Sequence, residues 1–137
     1  MISPASKLPQ LYGQIVLIAE PNALIAMDLA ATFSGWGAVP VLYHDLDGPA
    51  QLAAPALAKA ALVDLPFSCE PLSGLIAALR QHGVPTALTT AGSADGVGGN
   101  FPGLPVFDKP VDYAVLAHWL GAVAASSECQ GKPATGD

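Results

Sequence analysis

Charge is scarce in this chain. Among 137 residues only five are basic (Lys7, Lys59, Arg80, Lys109 and Lys132) and eleven are acidic, for a net charge of −6. Charged residues make up 12%, about half the share of an average soluble domain. An acidic chain with so few cations repels phosphate backbones and anionic lipid surfaces, which argues against nucleic acid or membrane partners. Cysteine is also nearly missing. Cys69 and Cys129 stand far apart, with no CxxC pair and no paired His/Cys spacing. Neither a zinc site nor a disulfide framework is indicated, and a reducing, cytoplasmic setting fits best. Long uncharged apolar runs are lacking too. The longest stretch without Asp, Glu, Lys or Arg, residues 29–44, is broken by Gly35, Gly37 and Pro40, whereas a membrane-spanning helix needs roughly 18 or more apolar residues. Glu20 closes the first apolar segment and no basic region precedes it, so a secretory signal is not expected. No internal repeat is present.

What the chain does have is apolar content, 52%, which excludes intrinsic disorder. Its length is that of one domain with a sizeable core. Residues 1–13 contain two prolines and read as an irregular lead-in, 14–125 as the domain, and 126–137, polar with Gly and Pro, as a flexible tail. Within the domain short apolar runs alternate with helical patterns. The runs are residues 15–19, 39–43, 61–64, 86–90 and 104–107. Each is nearly continuous in apolar character, as strands buried on both faces of a parallel sheet are.

Helical periodicity fills the gaps. Residues 23–36 carry Ile25, Leu29, Phe33 and Trp36, and Gly37 marks the stop. Residues 71–82 place Leu72, Leu75, Ile76 and Leu79 on one stripe between Pro71 and Gly83, with proline suited to the first turn and glycine to the end. Residues 112–125 repeat the spacing with Leu116, Trp119, Leu120 and Val123, and Asp112 is a natural N-cap. A helix at 49–58 contains Pro55 and is expected to be short or bent. Residues 92–103 hold five glycines, and each costs a helix about 1 kcal/mol relative to Ala, so the fourth helix is degraded. Five βα units imply a doubly wound, flavodoxin-like α/β sandwich with a five-stranded parallel sheet, whose functional groups lie at the C-terminal strand ends.

Glu20 ends the first strand, Asp64 the third, Thr90 the fourth and Asp108-Lys109-Pro110 the fifth. Taken singly, each has an ordinary explanation: acids cap helices, threonines bond backbone, and Lys-Pro pairs are common. In this order and at these strand ends the combination is far more specific. The stretches IVLIAEPNALIAMDL, AALVDLP, VPTALTTAG and PVFDKPVD resemble the receiver domain of two-component response regulators over about residues 14–123. The resemblance implies that Asp64 is the phosphoacceptor for a histidine kinase or phosphotransfer protein. It implies that Thr90 and Lys109 bind the phosphoryl oxygens, and that Thr90 moves on activation. It also implies that Glu20, Asp64 and the backbone carbonyl of Pro66 hold Mg2+. The chemistry suits these residue types, because attack by a carboxylate needs the incoming negative charge neutralised by a metal and a lysine.

Two departures stand out. Pro21 falls where the family has its second acid, and a proline offers only a carbonyl oxygen. Asn22, one place late, is a weaker candidate for that oxygen. The expectation is weak Mg2+ binding, slow phosphorylation and a tighter Asp64–Lys109 pair. Val106 occupies the position of the family's switching aromatic, and Phe107 faces the opposite side of the strand. The Gly-rich 92–103 segment is similar to an atypical alphaproteobacterial subgroup of single-domain receivers, and Thr89-Thr90-Ala91-Gly92 loosely matches that subgroup's signature. The expected role is a single-domain response regulator, not an enzyme, that signals to a downstream protein. Two alternatives stay open: a phosphorylation-independent pseudo-receiver serving as an interaction or homodimerisation module, and a small flavodoxin-like enzyme or cofactor-binding domain. The latter wants a glycine-rich phosphate loop after the first strand, where Glu20-Pro21-Asn22 stands. His44, His82 and His118 lie on different elements and form no ligand pair. The run Gly96-Val97-Gly98-Gly99 lacks the ending and position of a phosphate loop.

Overall fold

The computed structural model describes residues 8–64, 70–90 and 103–131. Five strands, β1 (Ile15–Ala19), β2 (Val39–Leu42), β3 (Ala60–Asp64), β4 (Thr86–Thr90) and β5 (Val106–Asp108), form one sheet in the order β2-β1-β3-β4-β5. Every pairing is parallel. This is the flavodoxin-like strand order, with its crevice at the carboxyl ends where the order reverses beside β1. The helices are α1 (Ala23–Gly35), α2 (Gly48–Leu57), α3 (Glu70–Gln81) and α4 (Tyr113–Gly131). The expected loss of a helix across residues 92–103 lies, up to residue 102, outside the described residues, as do Pro66 and Cys69.

All residues of β3 and β4 and all but the first of β1 are buried, which accounts for their unbroken apolar runs. Alternation sends the strand side chains to two core layers. Val16, Ile18, Leu62 and Ala87 meet Leu29 and Phe33 of α1 and Leu116 and Leu120 of α4. Leu17, Ala19, Val63 and Leu88 meet Ala54 of α2 and Leu75, Ile76 and Leu79 of α3. Trp36, only 4% exposed, stacks on Phe33 and meets the edge of Tyr113, while Trp119 packs edge-on against Phe107.

Local chemistry sets the helix ends. Asn22 caps α1, its Oδ1 accepting from the N–H groups of Leu24 and Ile25. Asp47 caps α2 through Ala50 N–H, and Asp112 caps α4 through Ala114 and Val115 N–H. Pro55 sits inside the last turns of α2 without ending it. α4 runs on to Gly131, past residue 125 where the apolar spacing stops. Ser126 to Gln130 include no helix breaker, so nothing in them stops the helix short of Gly131. In the lead-in, Pro9–Leu11 forms a single 3-10 turn. Leu11 is fully buried in the α1/α4 layer, and Leu8 N–H donates to Trp36 O at 3.0 Å. Among the described residues no helix is long and apolar enough to cross a membrane.

Candidate functional site

The two-layer alternation decides which strand-end groups can meet. Ile18, Leu62, Ala87 and Phe107 belong to the α1/α4 layer. Counting on by two puts Glu20, Asp64, Thr89 and Lys109 at the same sheet face, at its C-terminal edge. Leu88 and Val106 belong to the other layer, and Thr90 and Asp108 follow them by two. The register agrees, pairing Asp64 with Thr89 and Thr90 with Asp108.

Lys109 is the centre of the cluster. Its Nζ lies 2.6 Å from Asp64 Oδ1 and 2.9 Å from Glu20 Oε1. Both acids are deeply placed, with side chains 9% and 3% exposed. Burial works against the Lys109 charge, but the hydrogen bond and charge of Asp64, then those of Glu20, outweigh it and hold the ammonium above the usual lysine range. Lys109 and Pro110 are joined by a cis peptide bond. The backbone locks β5 in place beside the site, Lys109 N–H donating to Thr90 O at 2.9 Å.

The structure thus brings together three of the residues expected from sequence: Glu20, Asp64 and Lys109. It adds one that sequence reasoning left out. Thr89, 2% exposed, donates its hydroxyl to Asp64 Oδ1 at 3.3 Å. Thr90, the residue expected to serve the phosphoryl site, is also buried and stands one step further along the strand. Two adjacent hydroxyls look equivalent in sequence. Only counting parity from Asp64 through the register separates them. The aromatic departure is as expected: Val106 lies in the α2/α3 layer and Phe107 in the opposite one.

Glu20 Oε2 accepts from Asn22 N–H at 3.0 Å. Its Oε1 is buried and lies 2.9 Å from the Lys109 ammonium. A buried carboxylate oxygen so placed is a hard donor of the kind Mg2+ selects, and Mg2+ is commonly held by one or two carboxylates with waters completing the shell. The described donors fit that minimal set and no more. Pro21 is exposed and brings no side-chain oxygen. The oxygen of Asn22, a candidate substitute, is spent on capping α1. Among the described residues no group of three His, Cys, Asp or Glu side chains could hold a metal.

Beside the cluster, between α1 and the turn after β5, a cavity of about 290 Å3 is walled by Leu24, Ile25, Leu29, Val111 and Tyr113, with Glu20, Thr89 and Lys109 also lining it. The Tyr113 hydroxyl closes its rim by donating to Asp28 of α1. Burial, then this bond, push the Tyr113 phenol up to about 12. A larger hollow of about 500 Å3 at Leu8, His118 and Gly121 includes none of these site residues.

The same architecture occurs in solved receivers. The BeF3-activated conformation of SdrG from Pseudomonas melonis shares 29% identity with this chain, covering 80% of it and 95% of SdrG, with a TM-score of 0.61. A response regulator receiver protein from Sinorhizobium medicae matches at 16% identity and TM-score 0.67, over 82% of this chain and 95% of that one. The receiver domain of a LuxO repressor protein from Vibrio parahaemolyticus matches at 17% and 0.62, over 87% and 95%. No family model matches the sequence, and no curated protein matches it either. Sheet order and the acid–lysine cluster at the switch edge match these neighbours, and the chain has the fold of response regulator receiver domains.

Proposed function

We propose that this receiver domain accepts a phosphoryl group on Asp64 and signals by protein–protein contact rather than by catalytic turnover. The observation that carries the proposal is the Lys109 ammonium 2.6 Å from the Asp64 carboxylate at the end of β3, where charge arriving with a phosphoryl group meets a fixed cation. A carboxylate oxygen of Asp64 forms the new bond to phosphorus. The bond from phosphorus to the donor's histidine nitrogen breaks, and the electron pair returns to the imidazole, which takes up a proton. Mg2+, held by Glu20, Asp64 and the Pro66 carbonyl that the family resemblance adds, supplies further charge neutralisation when bound. With Pro21 in place of an acid, that binding is weak. The partners of this reading are a histidine kinase or phosphotransfer protein upstream and a protein target downstream, in the cytoplasm, with no nucleic acid or membrane. A homodimer is compatible with it.

A specific observation favours a second reading. Lys109 already faces two carboxylates, and the Asn22 oxygen, one place after the missing acid, is committed to the α1 cap. A domain balanced this way without metal can serve as a phosphorylation-independent interaction module. Treating the wild type and Asp64→Asn with a small phosphodonor, with and without Mg2+, separates the two. A mass gain of one phosphoryl group, lost in Asp64→Asn, is expected. No gain, together with equal partner binding by both proteins, selects the interaction module.

A further inference from the structure

We propose that Thr89 is a positioning residue for the phosphoacceptor, an inference that rests on Asp64 being the acceptor. Two donors converge on one oxygen of Asp64. The Lys109 ammonium lies 2.6 Å from Oδ1 and the Thr89 hydroxyl 3.3 Å from the same atom. Holding one carboxylate oxygen from two directions fixes the rotation of the group and presents the other, Oδ2, to phosphorus.

The position of Thr89 is itself fixed. It is the register partner of Asp64 in the adjacent strand, it is 2% exposed, and its branched Cβ leaves few rotamers. A buried hydroxyl that gives up its partner loses more than the bond was worth, so Thr89 has little freedom to turn away. Its bond is longer than the usual hydroxyl–oxygen distance of about 2.7–2.8 Å, so it orients the acid more than it blunts its basicity.

The arrangement also survives the reaction. When Oδ2 bonds to phosphorus and the donor leaves with the electron pair of its old bond to phosphorus, Oδ1 becomes the carbonyl oxygen of an acyl phosphate. It remains an acceptor for both donors. Thr89 therefore serves the attacking acid and the product with the same contact.

The experiment measures phosphoryl incorporation from a small phosphodonor, by intact mass over time, in the wild type, Thr89→Val, Thr89→Ser and Asp64→Asn, with a thermal melt of each. Thr89→Val keeps the shape and removes the hydroxyl, and incorporation is expected to slow about tenfold, the size of one lost hydrogen bond. Thr89→Ser restores the hydroxyl and is expected to stay within about twofold of wild type. Should Thr89→Val fail to fold, Thr89→Ala replaces it. Wild-type speed in the Val variant, with Asp64→Asn inert, overturns the role of Thr89 and leaves Asp64 as acceptor. Equal slowing in Val and Ser variants at unchanged melting also overturns it, because the hydroxyl then plays no part. No incorporation by the wild type overturns the acceptor reading and this role together.

Discussion

Lys109 stands between two acids that do not otherwise meet: Glu20 from the end of β1 at 2.9 Å and Asp64 from the end of β3 at 2.6 Å. One ammonium thus neutralises half of a buried carboxylate pair. Lys109→Met removes it and leaves two like charges at side chains 3% and 9% exposed. A loss of about 3 kcal/mol in urea unfolding near neutral pH is expected. In the wild type the Lys109 value is raised on folding, so its contribution is complete below the ordinary lysine range and declines only as pH rises through the folded value. A deficit in Lys109→Met that does not shrink as pH rises through the folded lysine value would show that the variant fails through packing instead.

Pro21→Asp returns a carboxylate to the exposed position after β1, one residue from Glu20. Mg2+ affinity measured by calorimetry is expected to rise at least about tenfold, the effect that even an outer-shell partner has at other metal sites. Unchanged affinity would mean that the Lys109 contacts, not the missing acid, limit the metal.

Tyr113 reports on the contact across the cavity rim. Burial and the hydrogen bond to Asp28 raise its ionisation to about 12, against an ordinary value of about 10. Ultraviolet titration of the phenolate is expected to show a late step that disappears in Tyr113→Phe. A raised value favours the protonated folded state. The stabilisation from this contact is therefore full below about pH 10 and lost as pH climbs through about 12.

Gly37→Ala tests the turn that follows α1. Gly37 has φ +103°, and a Cβ there would run into the Tyr12 ring. The substitution is expected to cost about 1–3 kcal/mol, read as a lower melting temperature with no change at the acid cluster.

Most of the sheet was legible because three of its strands are buried on both faces, so their sequences carry no polar interruptions to confuse the period. The acid–lysine cluster was legible because strand ends in this topology converge whatever lies between them. Asp112 was legible as a cap because capping is a local matter of an acid before an apolar stripe. Thr89 was not, since its neighbour has the same hydroxyl and only the pairing with β3 shows which of the two faces Asp64. The use of the Asn22 oxygen was not legible either, because capping and coordination draw on the same atom, and only the N–H groups of Leu24 and Ile25 show where it goes. The last turns of α4 were hidden for another reason: a polar stretch has no apolar period to announce a helix.

Leu11 gives the lead-in a meaning for anyone dividing the protein. It is fully buried against α1 and α4, on a turn tied to the end of α1 by the bonds from Leu8 to Trp36 and from Gly13 to Gly37. The β-sheet begins only at Ile15, yet the hydrophobic interior begins four residues sooner. A shortened version starting at the first strand would leave a leucine-sized hole under Phe33 and Trp36. Any fusion partner should therefore be joined ahead of Leu8.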